Sequence, residues 1–288
     1  MSANLNGKTL VMSGGSRGIG LAVAVRAARD GANVVLIAKT AVPDPRLRGT
    51  IFDAAEQIEA AGGNALPVVG DVRSDDVIDQ AVRAAVERFG GIDICLNNAS
   101  VLDLSSTLNL KPKRYDLMQD VNTRATFMLT RACLPHLKAS GNPHVLTFSP
   151  PLELSPRWLG AHIGYTLAKY GMTLCTLGIA AEFADQGIAA NCLWPRTTIA
   201  TDAIANIHGG AETLARSRLP EIMADATYVI LTSRGRELTG QTLLDEDVLR
   251  TSGVVDFSRY AAVPGNTEFQ SDIFLDYAPG SPEARESR

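Results

Sequence analysis

Long apolar runs are missing from this chain. No stretch approaches the ~18 uninterrupted apolar residues of a membrane-crossing helix, and the opening "MSANLNGKTLVM" has no basic segment followed by an apolar one. No membrane partner is therefore expected, and a cytoplasmic location is. Cysteine is scarce: Cys95, Cys133, Cys175 and Cys192 lie far apart in apolar runs, which excludes a disulfide framework and a metal cluster and predicts plain buried thiols. Basic excess is also lacking, since 27 Lys and Arg face 31 Asp and Glu for a net charge of -4, so a nucleic-acid partner is not expected. There is no G-x-S-x-G elbow, and His136, His144, His162 and His208 have no evident nucleophile partner, which argues against a hydrolase and for structural histidines.

What is present is an alternation of short β-branched runs with longer helical patterns, the arrangement of a parallel sheet with crossover helices. "KTLVMS", "NVVLIA", "ALPVVG", "IDICLN", "HVLTFS" and "IAANCLW" read as strands, and "GQTLLDED" as a seventh at the edge. Between them run helical patterns, among them one continuous stretch over 115–137 and another over 165–187. The fold class expected is α/β: a single doubly wound Rossmann-like domain, about seven parallel strands flanked by helices, over residues 1–250. Residues 251–288 form a C-terminal extension whose aromatics, Phe257, Tyr260, Phe269, Phe274 and Tyr277, show no clear periodicity and could cover the site or a neighbouring subunit. Its last residues, "APGSPEARESR", read as a solvated, mobile end. A long loop with two prolines, 39–50, follows the second strand.

Gly14, Gly18 and Gly20 fall where the first strand hands over to the first helix. Glycine permits the tight turn, and a helix N-terminus offers unpaired N–H groups to a pyrophosphate. The second strand ends on Ala38-Lys39-Thr40, with no carboxylate to hold a ribose 2′-hydroxyl. Lys39 and Arg17 can both meet a 2′-phosphate, so NADP (NADPH) is favoured over NAD. Asp71, after the third strand, can accept from an adenine amino group or simply begin the next turn.

Tyr165 and Lys169 stand four apart in "GYTLAKYGM" and so share one helix face. Bringing a phenol from pKa about 10 to near 7 takes roughly 4 kcal/mol. One ammonium about 4 Å away, at an effective dielectric near 20, supplies on the order of that amount. The pair can act as acid and base, although YxxxK alone also fits a plain exposed helix face.

Together "SGGSRGIG", "NNAS" at 97–100, Asn122 and Tyr165-x-x-x-Lys169 resemble the short-chain dehydrogenase/reductase family, in family order and over nearly the whole chain. "DVNTRATF", "FSPPLEL", "YTLAKYGM" and "LWPRTTIAT" resemble its hydroxysteroid dehydrogenase-like subgroup. The lipid-carrier domain often attached in that subgroup is not expected here. The resemblance implies hydride transfer between NADP and a lipophilic carbonyl or alcohol, with Tyr165 as proton donor or acceptor. Lys169 would bind the nicotinamide ribose and lower the phenol's pKa, and Asn122 would hold a proton-relaying water unless it only bends its helix. The cofactor set it implies is Gly14, Ser16, Arg17, Gly18, Ile19, Gly20, Lys39, Asp71, Val72, Asn98, Pro195 and Thr197, with Tyr165 and Lys169. Ser100 stands where the family usually has Gly. The segment after the sixth strand, 194–220, would supply a substrate lid, and a homodimer or homotetramer is expected.

One departure from the family is plain. The serine that usually polarises the substrate oxygen near the end of the fifth strand is replaced, by strand alignment, with Pro150, which has neither side-chain donor nor N–H. Ser149 can be rotated inward by the Pro-Pro kink, Ser155 can reach in from the loop, or Tyr165 can act without a serine. The same gap keeps a second reading open: an NADP-binding regulatory or scaffolding protein with little turnover.

Overall fold

The sheet runs β3-β2-β1-β4-β5-β6-β7, with every neighbouring pair parallel. The computed structural model describes residues 4–44, 49–206, 210–234 and 237–275; part of the 39–50 loop, His208, Tyr277 and the tail 278–288 lie outside the described residues. The first strands and helices are β1 (Thr9–Ser13), α1 (Gly18–Ala28), β2 (Asn33–Ala38), α2 (Ile51–Ala60), β3 (Asn64–Val69) and α3 (Asp75–Phe89). β4 (Ile94–Asn97) and α4 (Pro112–Met118) follow, then a π-helical turn (Gln119–Arg124) that runs into α5 (Ala125–Leu137). β5 (His144–Thr147), α6 (Pro156–Ala161), α7 (Ile163–Glu182) and β6 (Ala189–Trp194) carry the chain to the far side of the sheet. After β6 come the short α8 (Asp202–Ala205) and α9 (Gly210–Ala215), then α10 (Glu221–Thr232), β7 (Thr242–Leu244) and α11 (Asp245–Thr251).

Strands buried on both faces explain the near-continuous apolar runs of β2 and β6. One layer packs α1, α2 and α10 on the sheet through Ala24, Ile51, Ile58, Ile222 and Ile230. The other packs α3, α5 and α7 through Ile78, Ala81, Leu129 and Ile179. The strand order reverses between β1 and β4, and at such a switch point the carboxyl ends of the strands open a crevice. The glycine loop leaves β1 there and "NNAS" leaves β4.

Two elements differ from expectation. The helix expected over 115–137 is divided by the π-helical turn around Asn122, whose carbonyl accepts from Thr126 Oγ1 at 2.6 Å while its side-chain amide is tied to the backbone of Val101. β5 stops at Thr147 rather than Ser149, because Pro150 and Pro151 carry no N–H for a ladder and the Ser149 N–H turns back to Thr147 O at 3.0 Å. Cys95, Cys133 and Cys192 are free and buried and Cys175 is free and half-buried, as predicted.

Candidate active site

The glycine loop is shaped by backbone crowding. A Cβ on Gly20 would stand 2.6 Å from Asn98 Nδ2 and 2.7 Å from Gly14 O, and Gly14 holds φ 74, a conformation glycine alone adopts readily. Asn98 braces this turn, donating from Nδ2 to Ser13 O at 3.0 Å and Gly14 O at 2.6 Å. Arg17, in extended conformation, precedes α1 without a side-chain cap, so the first N–H groups of α1 are left for an anion.

In front of this helix end lies a cleft of about 470 Å³. Gly14, Ser16, Arg17, Gly18, Ile19, Lys39, Asp71, Val72 and Asn98 line it, together with Ser100 and Val101. Nine of the twelve cofactor residues expected outside the Tyr-Lys pair thus share one cleft wall. Gly20 lies directly behind it, and Pro195 and Thr197 come from beyond β6. Thr201, which sequence reading missed, closes over the loop: its Cγ2 would be 3.3 Å from a Cβ on Gly18. Lys39 Nζ lies 3.5 Å from Asp71 Oδ2, and Arg73 takes the same carboxylate at 2.8 Å. The Arg73 hydrogen bond leads in holding Asp71 down at about 2, so it stays ionised.

Beside Ser100 of this cleft stands Tyr165, one helical turn from Lys169, and both are buried. Lys169 Nζ donates to Phe148 O at 2.7 Å and lies 5.1 Å from the centre of the Trp194 ring. Burial brings it down to about 7, against the opposing pull of Asp272. In this ligand-free state burial, not Lys169, sets the direction of the Tyr165 shift. Burial pushes Tyr165 up, the Asp272 carboxylate adds to the rise, and the Ser100 hydroxyl beside it acts in the opposite sense. Desolvation disfavours the charged form of both groups, and the ammonium is committed to a carbonyl.

Asn122 is fully buried, and both ends of its side-chain amide are used by Val101: Oδ1 accepts from the N–H at 2.7 Å and Nδ2 donates to the carbonyl at 3.1 Å. It holds the strand-4 loop onto the helical layer. Ser149 Oγ is buried and lies against the Cys192 thiol. Pro150 O is taken by Thr173 Oγ1 at 2.7 Å, and Tyr170 receives the Glu153 N–H at 3.1 Å, so the 150–155 loop is pinned to α7. Ser155 Oγ is likewise buried and unpartnered, at the start of α6. The serine hydroxyl that stands beside the phenol is that of Ser100.

A glycine turn and an open helix end at a sheet's switch point, with a buried Tyr-x-x-x-Lys pair beside Ser100 of the cleft, define the class as a Rossmann-like α/β fold of the short-chain dehydrogenase type. The chain belongs to the short chain dehydrogenase family, which matches residues 8–211, and to its hydroxysteroid dehydrogenase-like group. It is 50% identical over 278 residues to hydroxysteroid dehydrogenase-like protein 2 of Danio rerio, covering 96% of this chain and 66% of that protein. Against the Rattus norvegicus protein of that name the identity is again 50%, over 52% of its length, so the chain spans about half to two thirds of these relatives. A short chain dehydrogenase structure from Mycobacterium thermoresistibile superposes with a TM-score of 0.91 at 55% identity, covering 97% of this chain and 98% of that one.

Proposed function

We propose that this chain is an NADP-dependent oxidoreductase that moves a hydride between the nicotinamide and a lipophilic carbonyl or alcohol, Tyr165 handling the proton. The observation that carries the reading is the uncapped helix end opening on a cleft at the β1/β4 switch point, with Ser100 of that cleft beside the buried Tyr165. The residues fit the dinucleotide. The α1 N–H groups would hold its pyrophosphate, Lys39 and Arg17, which line the cleft with Ala38 at the end of β2, would meet a 2′-phosphate, and Thr197 Oγ1 beyond β6 is a buried hydroxyl without a partner. When bound, the cofactor supplies or accepts the hydride.

The residues do the rest. Held protonated by burial, Tyr165 is in the acid form that donates to a carbonyl oxygen. Lys169 offers a positive charge to the resulting phenolate once it leaves Phe148 O. The placement of Ser149 beside Cys192 favours the reading in which the phenol works without a serine donor. Phe127 on α5 and Leu167 and Leu174 on α7 are exposed, which supports pairing of subunits through these helices.

NADPH oxidation followed with a panel of aldehydes and ketones tests the reading. Tyr165→Phe is expected to cut kcat by about 10²–10⁴ while NADPH affinity stays within a few-fold. Wild-type turnover in that variant, or no nucleotide affinity by calorimetry, would overturn it, whereas tight binding without oxidation would favour the scaffolding alternative. Lys39→Ala is expected to weaken NADPH binding roughly ten-fold and leave NADH unchanged; equal losses for both would defeat the choice of NADP.

A further inference from the structure

The chain returns to the active centre through residues 270–275. Thr198 N–H donates to Gln270 O at 2.9 Å, Gln270 N–H to Arg216 O at 2.9 Å, Asp272 N–H to Arg196 O at 3.1 Å, and Trp194 Nε1 to Ile273 O at 3.0 Å. These bonds deliver Phe274 into a box of four rings. Its centroid lies 5.2 Å from Tyr170, 5.9 Å from Trp158, 6.1 Å from Tyr165 and 6.2 Å from Trp194, and its ring is within 20° of parallel to that of Tyr165.

Phe274 is 1% exposed, although it belongs to a segment laid over the domain rather than to a strand or helix. It is also the one non-glycine among the described residues with a positive φ, 68. A bulky residue in that region is disfavoured, so the surrounding contacts must hold it there, and such outliers concentrate at ligand clamps and switches. The ring packs against that of Tyr165, which is itself only 5% exposed, so a substrate oxygen reaches the Tyr165 hydroxyl only when the cover over this phenol moves.

We propose that Phe274 is a resident plug standing in for the apolar part of the substrate, and that the box of Trp158, Tyr165, Tyr170 and Trp194 receives a flat aryl or conjugated carbonyl compound when Phe274 withdraws. The proposal rests on Tyr165 being the reactive phenol. It narrows the substrate class, because ring faces at 5–6 Å suit a planar π system over a saturated chain. It also makes binding competitive with the plug: the open form binds, and apparent affinity falls by the fraction of molecules that are open.

Trp158 and Trp194 are the chain's two tryptophans and both line the box, so intrinsic fluorescence reports on it without turnover. With NADP⁺ present, which cannot reduce an aldehyde, 2-naphthaldehyde is expected to change tryptophan emission and decanal to do so far less. In wild-type protein, hydrogen exchange at the amides of Thr198, Gln270 and Asp272 is expected to speed up when 2-naphthaldehyde is added. Phe274→Ala should bind 2-naphthaldehyde about ten-fold more tightly and lower its KM with NADPH by a similar factor. Weaker binding in the variant would make Phe274 a wall of the site and overturn the plug, as would unchanged exchange in wild type on saturation. If the variant binds more tightly but no carbonyl is ever reduced, the plug stands and the oxidoreductase reading falls. If Tyr165-dependent reduction occurs with no tightening, the plug falls alone.

Discussion

Ser149 and His144 show how burial decides what a polar residue can do. Ser149, two residues past the end of β5, lies beside the Cys192 thiol, and the loop that follows it is tied to α7 by the Thr173 Oγ1 bond to Pro150 O. Ser149→Ala is therefore expected to keep kcat within about three-fold of wild type, against the ~10²-fold loss of removing a true oxyanion donor. A loss of that size in steady-state assays would mean that the serine re-aims on binding. His144, 1% exposed at the start of β5, is pushed down to about 4 by burial. The unfolded imidazole takes a proton near 6.5, so between pH 6.5 and 4 the unfolded state binds more protons, and this residue lowers stability as pH falls. His144→Leu should remove that slope: relative to wild type it is expected to gain roughly 2–3 kcal/mol between pH 7 and pH 4, read from urea midpoints.

Among the elements, α1 and its preceding loop depend most on a single backbone approach. Gly20→Ala places a methyl 2.7 Å from Gly14 O, a backbone atom that cannot swing aside as a side chain can. The loop must then open, which is expected to lower NADPH affinity at least about ten-fold and destabilise the fold by roughly 1–3 kcal/mol. Calorimetry and thermal melts separate the two effects. The π-helical turn plays a comparable part for β4: by widening the helix it lets Asn122 reach both backbone groups of Val101 and so fixes the loop that carries Ser100.

In the molecule as a whole, the segment after β6 is tied to α11 by a buried ion pair, Arg218 Nη2 to Glu246 Oε1 at 2.8 Å, with Arg250 on the other carboxylate oxygen at 3.1 Å. Removing Arg218 leaves the buried Glu246 Oε1 without its close cation, with Arg250 at 3.1 Å and Arg196 at 3.9 Å on the other oxygen. Arg218→Met is expected to cost about 3 kcal/mol, whereas Arg218→Met with Glu246→Leu should recover most of it. For a chain of this size that is a fall of roughly 6–12 °C in Tm, measurable by calorimetry. The same segment carries Thr197, Arg196 and Trp194 and holds residues 270–273, so loosening it should also raise tryptophan accessibility at the Phe274 box.

Sequence alone determined the parallel strands, the glycine turn before α1, the lack of a carboxylate after β2, and the pairing of Tyr165 with Lys169 on one helix face. Each is a local matter, set by a period of 2 or 3.6 residues or by what glycine and proline allow the backbone to do. Tertiary structure alone decided which way Ser149 points, that Asn122 is consumed by Val101, that Lys169 bonds Phe148 O, and that Phe274 and Asp272 sit at the phenol from about a hundred residues downstream. Those outcomes depend on which side chains lose their water together. That exclusion is a property of the packed whole, and it sets the upward direction of the Tyr165 shift.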